Sequence, residues 1–264
     1  MAGPNAVANS LIIVGAGGWG MMAALVVAGK GISVLLLEKT DKPGGSTAFS
    51  SRGSRAAGSR FQLALDIEDS PEQYARDIFD RNSNESDLAL TQRLAEVSGP
   101  VADFLADVAR IDFNVGEFVF GHSARRAHSW AEDKTICDFL WEAVEREPKI
   151  QIRFSTSVLS FQQESDGTVT GVVTDSGIIP AAKVILASGG FGYSQEMVSQ
   201  YIRRWWAFTS PVTTAAPARA SRWDWRLERR PKTWPPSSRI PPTSGRGCGR
   251  SWTALIDGAG MHKS

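Results

Sequence analysis

The sequence predicts an α/β fold in which a parallel sheet is covered by layers on both faces and further helices are inserted between its strands. Two short apolar runs, residues 11–14 and 32–38, have the composition of buried strands. Residues 19–31 lie between them and show a helical pattern that closes at Gly29 or Gly31. A strand, a helix and a second buried strand in this order form a βαβ unit, which requires a parallel pair.

The inserted helices are predicted by their caps and their apolar spacing. Ser70 is placed as an N-cap, Pro71 as the first helical residue and Gln73 as the partner in a capping box, for a helix over 69–81. Apolar periodicity predicts further helices over 87–99, 100–111 and 134–147. Alternating or apolar segments at 150–163, 168–177 and 183–188 then predict strands.

Composition limits the class of protein. The chain has 264 residues and a net charge of +1, so it can hold one large domain or two small ones, and its overall charge indicates no polyanionic partner. Cys137 and Cys248 have neither redox nor metal-binding spacing, which indicates free thiols in a reducing compartment and no metal site. The sequence shows no signal-peptide pattern and no apolar run of membrane-spanning length, so we expect a cytoplasmic protein without membrane contact.

Three glycines at G-x-G-x-x-G spacing connect the first strand to the first helix. Gly15 permits a tight turn, Gly17 allows the backbone to approach a pyrophosphate, and Gly20 lets the helix pack closely. Glu38 follows at the end of the second strand, where a carboxylate accepts hydrogen bonds from ribose hydroxyls and repels a 2′-phosphate. The pattern predicts a Rossmann-type domain that binds a dinucleotide other than NADP.

Three later stretches carry a resemblance to a known family. Residues 38–51 contain the pair Gly44-Gly45 with hydroxyls beside it, residues 181–192 read AAKVILASGGFG, and residues 156–173 read TSVLSFQQESDGTVTGVV. Together with the glycine turn, they resemble the FAD-contacting motifs of the fumarate reductase/succinate dehydrogenase flavoproteins, which include the related 3-ketosteroid Δ1-dehydrogenases. The resemblance covers residues 10–202.

The resemblance implies a three-layer FAD-binding domain with noncovalent FAD, since residues 44–53 contain no histidine to which the flavin could be attached. In the family, the glycine pair approaches the diphosphate and the flavin, and the backbone at Val158 meets the adenine. Trp19 replaces a residue that is usually small and is expected to crowd the turn. The implied cofactor-binding residues are Gly15, Ala16, Gly17, Gly18, Trp19, Gly20, Glu38, Lys39, Gly44, Gly45, Ser46, Thr47, Ser50, Val158, Ala187, Ser188, Gly189 and Gly190.

The resemblance also implies an oxidoreductase that transfers a hydride between flavin and a carbon next to a carboxylate or carbonyl. The implied partners are a small-molecule substrate and an electron donor or acceptor. A 3-ketosteroid Δ1-dehydrogenase-like activity and a non-catalytic flavin-binding fragment are the alternatives. Family members are usually much longer than this chain, so we expect weak turnover or none from these 264 residues.

The catalytic residues are not identified by the sequence. The candidates are three residues of the stretch GHSARRAH, namely His122, Arg125 and Arg126, which could bind substrate at the mouth of the site. The alternative is a solvated basic loop.

Residues 203–264 differ from the 1–202 domain that precedes them. Residues 201–264 hold 12 Lys and Arg against 3 Asp and Glu, and six of the nine tryptophans. They could be a nucleic-acid segment, a disordered tail, or a stretch outside the family's reading frame. The third interpretation is favoured and nucleic acid disfavoured, because back-translation across Trp223–Trp225 forces Gly and Leu in a neighbouring frame, where the family has a glycine-rich continuation.

Overall fold

The computed structural model describes residues 11–50, 53–192, 194 and 197. The chain divides into two units, residues 1–223 and 224–264, and every described residue belongs to the first. The predicted domain boundary at residue 202 and the basic tail lie outside the described residues and stay predictions.

The described residues form ten strands, five α-helices and one 3₁₀ helix, Gly45–Phe49. The strands are β1 (Leu11–Val14), β2 (Val34–Leu37), β3 (Ser54–Arg55), β4 (Asn114–Val115), β5 (Ala127–Ser129), β6 (Ile150–Arg153), β7 (Val158–Gln163), β8 (Val169–Thr174), β9 (Gly177–Pro180) and β10 (Val184–Leu186). The helices are α1 (Gly18–Gly29), α2 (Arg60–Leu63), α3 (Pro71–Arg81), α4 (Leu88–Val108) and α5 (Ile136–Arg146).

Four strands make a parallel sheet in the order β10-β1-β2-β6. The chain leaves β1 in one direction, to β2 and then β6, and later returns to the opposite side of β1 with β10. The order therefore reverses at β1. In open α/β sheets, ligands bind in the crevice at the carboxyl ends of the strands beside such a reversal.

The sheet is buried on both faces, because alternate residues of its central strands enter different cores. Ile13 and Leu36 pack with α1 and α5, whereas Ile12 and Leu35 pack against Val172 and its neighbours in the antiparallel sheet β7-β8-β9. Helices, parallel sheet and antiparallel sheet are the three predicted layers. Continuous burial also explains why β1 and β2 are uninterrupted apolar runs.

The sequence predicts two helices over 87–111, and this prediction is wrong: α4 is one helix that contains Pro100. An interior proline removes a hydrogen bond and costs about 3 kcal/mol. Here Ala95 and Leu105, on either side of the proline, are both buried. Gly99 also lies so close to another segment that a Cβ would be 2.4 Å from the carbonyl oxygen of Ala57. Packing along the whole helix therefore outweighs the local propensity to break.

The predicted cap of α3 is only partly correct. Ser70 accepts a hydrogen bond from the Gln73 backbone at 3.2 Å, and Pro71 is the first helical residue. The side chain of Gln73 does not complete the capping box but donates to Ser123 Oγ at 2.8 Å. The Gln73 side chain therefore makes a tertiary contact with Ser123 in place of the local contact that a capping box requires.

The segment 150–163, predicted as one alternating run, contains two strands in different sheets. Residues up to Arg153 pair in parallel with β2, and residues from Val158 pair antiparallel with β8. Ser155, between them, has a positive φ of 49°, and the bend there carries the chain from one layer to the next.

None of the helices that the structure describes combines the length and the apolar character needed to cross a bilayer.

Candidate dinucleotide-binding site

The carboxyl ends of three parallel strands meet at the glycine turn. The Gly15 amide donates to the carbonyl of Leu37, at the end of β2, at 2.7 Å. The Ala187 amide, directly after β10, donates to the carbonyl of Val14 at 2.8 Å. The turn, Glu38 and residues 187–190 therefore lie at one edge of the sheet, beside the reversal in strand order.

Two of the three glycines in the turn are required by packing. Gly15 has φ +106°, and a Cβ there would lie 2.6 Å from the carbonyl oxygen of Ala187. A Cβ on Gly20 would lie 1.8 Å from the carbonyl oxygen of Gly15. These positions hold the turn against the sheet and the helix against the turn, as the sequence predicts.

Gly17 differs from its two neighbours in the motif. It is the N-cap of α1 with φ −76°, and a Cβ there would meet the Gly44 oxygen at 3.7 Å, an ordinary contact. The fold itself therefore tolerates a side chain at position 17. The first amides of α1 have no partner within the helix, and a glycine here leaves the approach to them open.

The second glycine stretch is attached directly to the first. The Gly44 amide donates to the Ala16 carbonyl at 3.0 Å, and Gly17 and Gly44 form a parallel β-bridge. The Gly18 amide donates to Thr47 Oγ1 at 3.1 Å, and a Cβ on Gly18 would be 2.5 Å from that oxygen. The two stretches that the sequence places far apart thus form one cradle.

Glu38 has a carboxylate that is oriented by the protein alone. Oε2 accepts the Ala16 amide at 2.8 Å, and Oε1 accepts both the amide and the hydroxyl of Thr40 at 2.9 Å. A carboxylate offers about four acceptor positions, so these three donors leave capacity for a ribose hydroxyl. These contacts fix the side chain at the end of β2, and its contact with a ribose stays a prediction.

The hairpin stretch lies beside Glu38. The Thr156 amide donates to the Glu38 carbonyl at 2.9 Å, and the Ser155 amide donates to the Thr40 carbonyl at 2.8 Å. Val158 follows two residues later, buried against the parallel sheet. The structure thus brings the segment that leads to Val158 to the Glu38 end of the site.

The remaining predicted cofactor residues are mostly at the surface of this edge. Trp19 has 85% of its surface exposed, so the expectation that it crowds the turn is wrong: its indole points away from the packed glycines. The other exposed members are Lys39, Gly45, Ser46, Ser50, Ser188, Gly189 and Gly190.

The predicted substrate candidates are not brought to the glycine turn by any contact among the described residues. Arg126 is 1% exposed and pairs with the carboxylates of Asp69 and Asp77, and its guanidinium lies 4.7 Å from the centre of the Tyr74 ring. Arg125 donates to backbone carbonyls, including that of Gly116 at 3.0 Å. The alternative of a solvated basic loop is therefore wrong for Arg126.

His122 is half-buried at the edge of this ion-pair cluster. It packs against Tyr74, with ring centres 5.9 Å apart, and its Nδ1 lies 3.4 Å from Arg126. Burial, and next the positive charge of Arg126, lower the pKa of His122 below its ordinary value. The imidazole is therefore neutral near pH 7.

Arg126 also belongs to a closed ring of buried hydrogen bonds that sequence analysis missed. Its Nε donates to Asp69 Oδ2 at 2.7 Å, and the same oxygen accepts from Gln62 Nε2 at 2.9 Å. The backbone N–H of Gln62 donates to Ser59 Oγ, and this oxygen lies 2.7 Å from His128 Nε2. His128 Nδ1 lies 2.9 Å from the Arg126 carbonyl and closes the ring.

The ring determines the tautomer of His128. A carbonyl only accepts, so Nδ1 carries the proton, and Nε2 accepts from the Ser59 hydroxyl. Burial lowers the pKa of His128 below its ordinary value, with the contact to the Arg126 carbonyl opposing the shift. Arg126 and His128 of the stretch GHSARRAH thus supply the interior of the inserted region with polar side chains.

Comparison with known proteins identifies the family. A family model described as "FAD binding domain" matches residues 10–248 of the chain. The chain belongs to this family. The chain is 30% identical over 211 residues to a probable fumarate reductase, Ifc3, of Shewanella frigidimarina, covering 76% of this chain and 35% of that protein. It is also 30% identical over 199 residues to an NADH:fumarate oxidoreductase of Klebsiella pneumoniae, covering 72% of this chain and 21% of that protein.

Solved structures agree with the fold. A flavocytochrome c3 fumarate reductase in an open conformation has a TM-score of 0.67 and 27% identity, covering 75% of this chain and 36% of that one. A 3-ketosteroid-Δ4-(5α)-dehydrogenase from Rhodococcus jostii has a TM-score of 0.61 at 21% identity, covering 72% and 48%, and supports the fold alone. The chain spans about a third of the length of the fumarate reductases it matches.

Proposed function

We propose that the chain binds FAD noncovalently at the glycine turn as the flavin-binding part of a fumarate reductase-like oxidoreductase. The single observation that carries this proposal is the cradle in which Gly17 and Gly44 meet beside the start of α1, with Glu38 fixed at one end. Fumarate reductases at 30% identity support the reaction class. The ketosteroid dehydrogenases share the fold at 21% identity and so do not favour their substrate class here.

Different residues of the site contact different parts of the cofactor. The first amides of α1 face the diphosphate, and Glu38 accepts from the adenosine ribose. The backbone near Val158 contacts the adenine, and residues 44–50 approach the flavin. Bound FAD supplies hydride transfer at its isoalloxazine ring.

We also propose that these 264 residues turn over substrate slowly or not at all. Ser46, Ser50 and residues 188–190 are exposed at the edge of the sheet. A water-filled site weakens the preorganised charges on which catalysis depends. Of the three candidate residues, Arg125 and Arg126 are occupied by structural contacts, and His122 is the one that this proposal retains. The proposal also includes a small-molecule substrate, an electron donor or acceptor, and a cytoplasmic location.

The test of cofactor binding is acid precipitation of the purified protein. We expect the flavin to appear in the supernatant and to be FAD by chromatography. A yellow pellet that keeps its flavin would contradict noncovalent binding, and protein that neither contains nor takes up FAD would contradict the function.

Glu38→Ala tests the ribose contact. Loss of a charge-assisted hydrogen bond should weaken FAD binding by about 1–3 kcal/mol. Glu145→Ala, at an exposed position on α5, is the matched control and should bind like the wild type. Equal FAD affinities for the two variants would show that Glu38 does not contact the cofactor.

The test of turnover is a steady-state assay with fumarate, succinate and a 3-ketosteroid. A rate of about 1 per second or more, typical of enzymes, would show that the 264 residues are catalytically sufficient and that the slow-turnover proposal is wrong.

A further inference from the structure

We infer that Thr40 is a positioning residue for the cofactor: its hydroxyl holds the Glu38 carboxylate and the start of the second glycine stretch in one arrangement. The inference rests on the proposed FAD site and adds to it Thr40, which is not among the predicted cofactor-binding residues.

The hydroxyl of Thr40 lies between two acceptors. Its Oγ1 is 2.9 Å from Glu38 Oε1 and 2.8 Å from the carbonyl oxygen of Lys42. A hydroxyl has one proton, so it is shared between the two acceptors or exchanges between them. In either case, the side chain connects the ribose-binding carboxylate to the residue that precedes Pro43 and Gly44.

The backbone of Thr40 fixes the side chain from both directions. Its amide donates to Glu38 Oε1 at 2.9 Å, and its carbonyl accepts the Ser155 amide at 2.8 Å. The Glu38 backbone is held in the same way, because its amide donates to the Arg153 carbonyl at 2.9 Å. The loop is therefore anchored on the strand β6 side.

The chain continues from Thr40 into the cradle. Four residues on, the Gly44 amide donates to the Ala16 carbonyl, and the Ala16 amide donates to Glu38 Oε2. Glu38, Thr40, Gly44 and Ala16 thus form a circuit around the place where the adenosine ribose and the diphosphate would join. Without the Thr40 hydroxyl, the circuit keeps its contacts through Ala16 but loses the side-chain contact between the carboxylate and the Lys42 carbonyl.

The consequence is selective for the adenosine half of the cofactor. Glu38 acts on the ribose that FAD shares with ADP-ribose and that FMN lacks. Loss of the hydroxyl should therefore weaken FAD and ADP-ribose binding together and weaken FMN binding less. General loosening of the domain would weaken all three ligands together.

The experiment compares Thr40→Val with Thr40→Ser by titrating flavin-free full-length protein with FAD, ADP-ribose and FMN. Removal of one hydrogen bond should weaken FAD and ADP-ribose binding by about three- to tenfold in Thr40→Val. Thr40→Ser keeps the hydroxyl and should bind like the wild type. In a double-mutant cycle, Thr40→Val should have no further effect on Glu38→Ala if Thr40 acts through the carboxylate, because Ala has no acceptor for the Thr40 hydroxyl.

The outcomes separate the two proposals. Wild-type protein that binds FAD while Thr40→Val binds it equally well would overturn the positioning role alone. A full Thr40→Val effect in the Glu38→Ala background, or an equal loss for FMN, would also overturn it. Wild-type protein that binds neither FAD nor ADP-ribose would overturn the proposed function and the positioning role together.

Discussion

The glycine turn and the buried ring around Arg126 both join distant chain segments, and they do so by opposite means. The turn uses backbone groups and positions without side chains, such as Gly15 and Gly20, at the edge of the sheet. The ring uses long polar side chains that are removed from solvent, including Gln62 and His128, both 0% exposed. The turn brings backbone segments together at the surface, whereas the side chains of the ring satisfy one another in the interior.

This difference predicts which region tolerates substitution and what each substitution affects. Changes in the ring should alter folding first, because buried polar groups lose their partners. Changes in the turn should divide into those that affect packing and those that affect the ligand alone. The following expectations are ordered from the largest effect to the smallest.

Arg126→Met should give the largest loss of stability. It leaves the fully buried carboxylate of Asp69 without its cation, and breaking a buried ion pair in this way costs about 3–5 kcal/mol. Denaturant unfolding measures the change. Arg93→Met is the control, because the Arg93–Glu96 pair is exposed and worth well below about 1 kcal/mol. Similar losses in the two variants would show that the ring is not a stabilising unit.

Gly20→Ala should destabilise the turn by about 1–3 kcal/mol, the usual cost of overpacking. The added Cβ meets the Gly15 carbonyl at 1.8 Å, and backbone cannot easily move away. Gly29→Ala is the control within the same helix, since nothing lies within 4 Å of its Cβ. It should gain up to about 1 kcal/mol from helix propensity. Two variants of equal stability would contradict the close packing of the turn.

Lowering the pH should decrease the free energy of unfolding, because His128 in the ring is buried in its neutral form. Burial lowers the pKa of His128 in the folded state, so the unfolded chain binds the proton more readily. The stability contribution is complete above the unfolded pKa of about 6.5 and is lost as the pH falls below it, by up to about 1.4 kcal/mol per pH unit. Burial shifts the pKa of His122 in the same direction.

Unfolding free energies between about pH 5 and 8 test this sign. Replacing His122 by Asn should remove part of the pH dependence, and the ring histidine should account for the remainder. Stability that rises as the pH falls through this range would contradict the neutral tautomer assigned to His128.

The turn was predictable from sequence because its determinants are local. Gly15, Gly17 and Gly20 stand at fixed spacings between two apolar strands, and the requirement for glycine at positions 15 and 20 follows from backbone geometry. The layers were predictable for the same reason, since the continuous burial of β1 and β2 appears in their composition.

The ring was not predictable because its determinants come from different parts of the chain. Asp69 and Arg126 are 57 positions apart, and no spacing rule connects them. The same holds for α4, where packing across Gly99 outweighs a proline that locally predicts a break. Sequence reasoning therefore succeeded for backbone motifs and failed where tertiary contacts decide the use of a side chain.

The most direct test of the account is the FAD affinity of Gly17→Ala, measured together with its unfolding free energy. Position 17 has room for a methyl group in the protein itself, so stability should stay within about 0.5 kcal/mol of the wild type. The methyl group would occupy the approach of the diphosphate, so FAD binding should weaken at least about tenfold. Unchanged FAD affinity in a normally folded variant would contradict the placement of the cofactor at this turn.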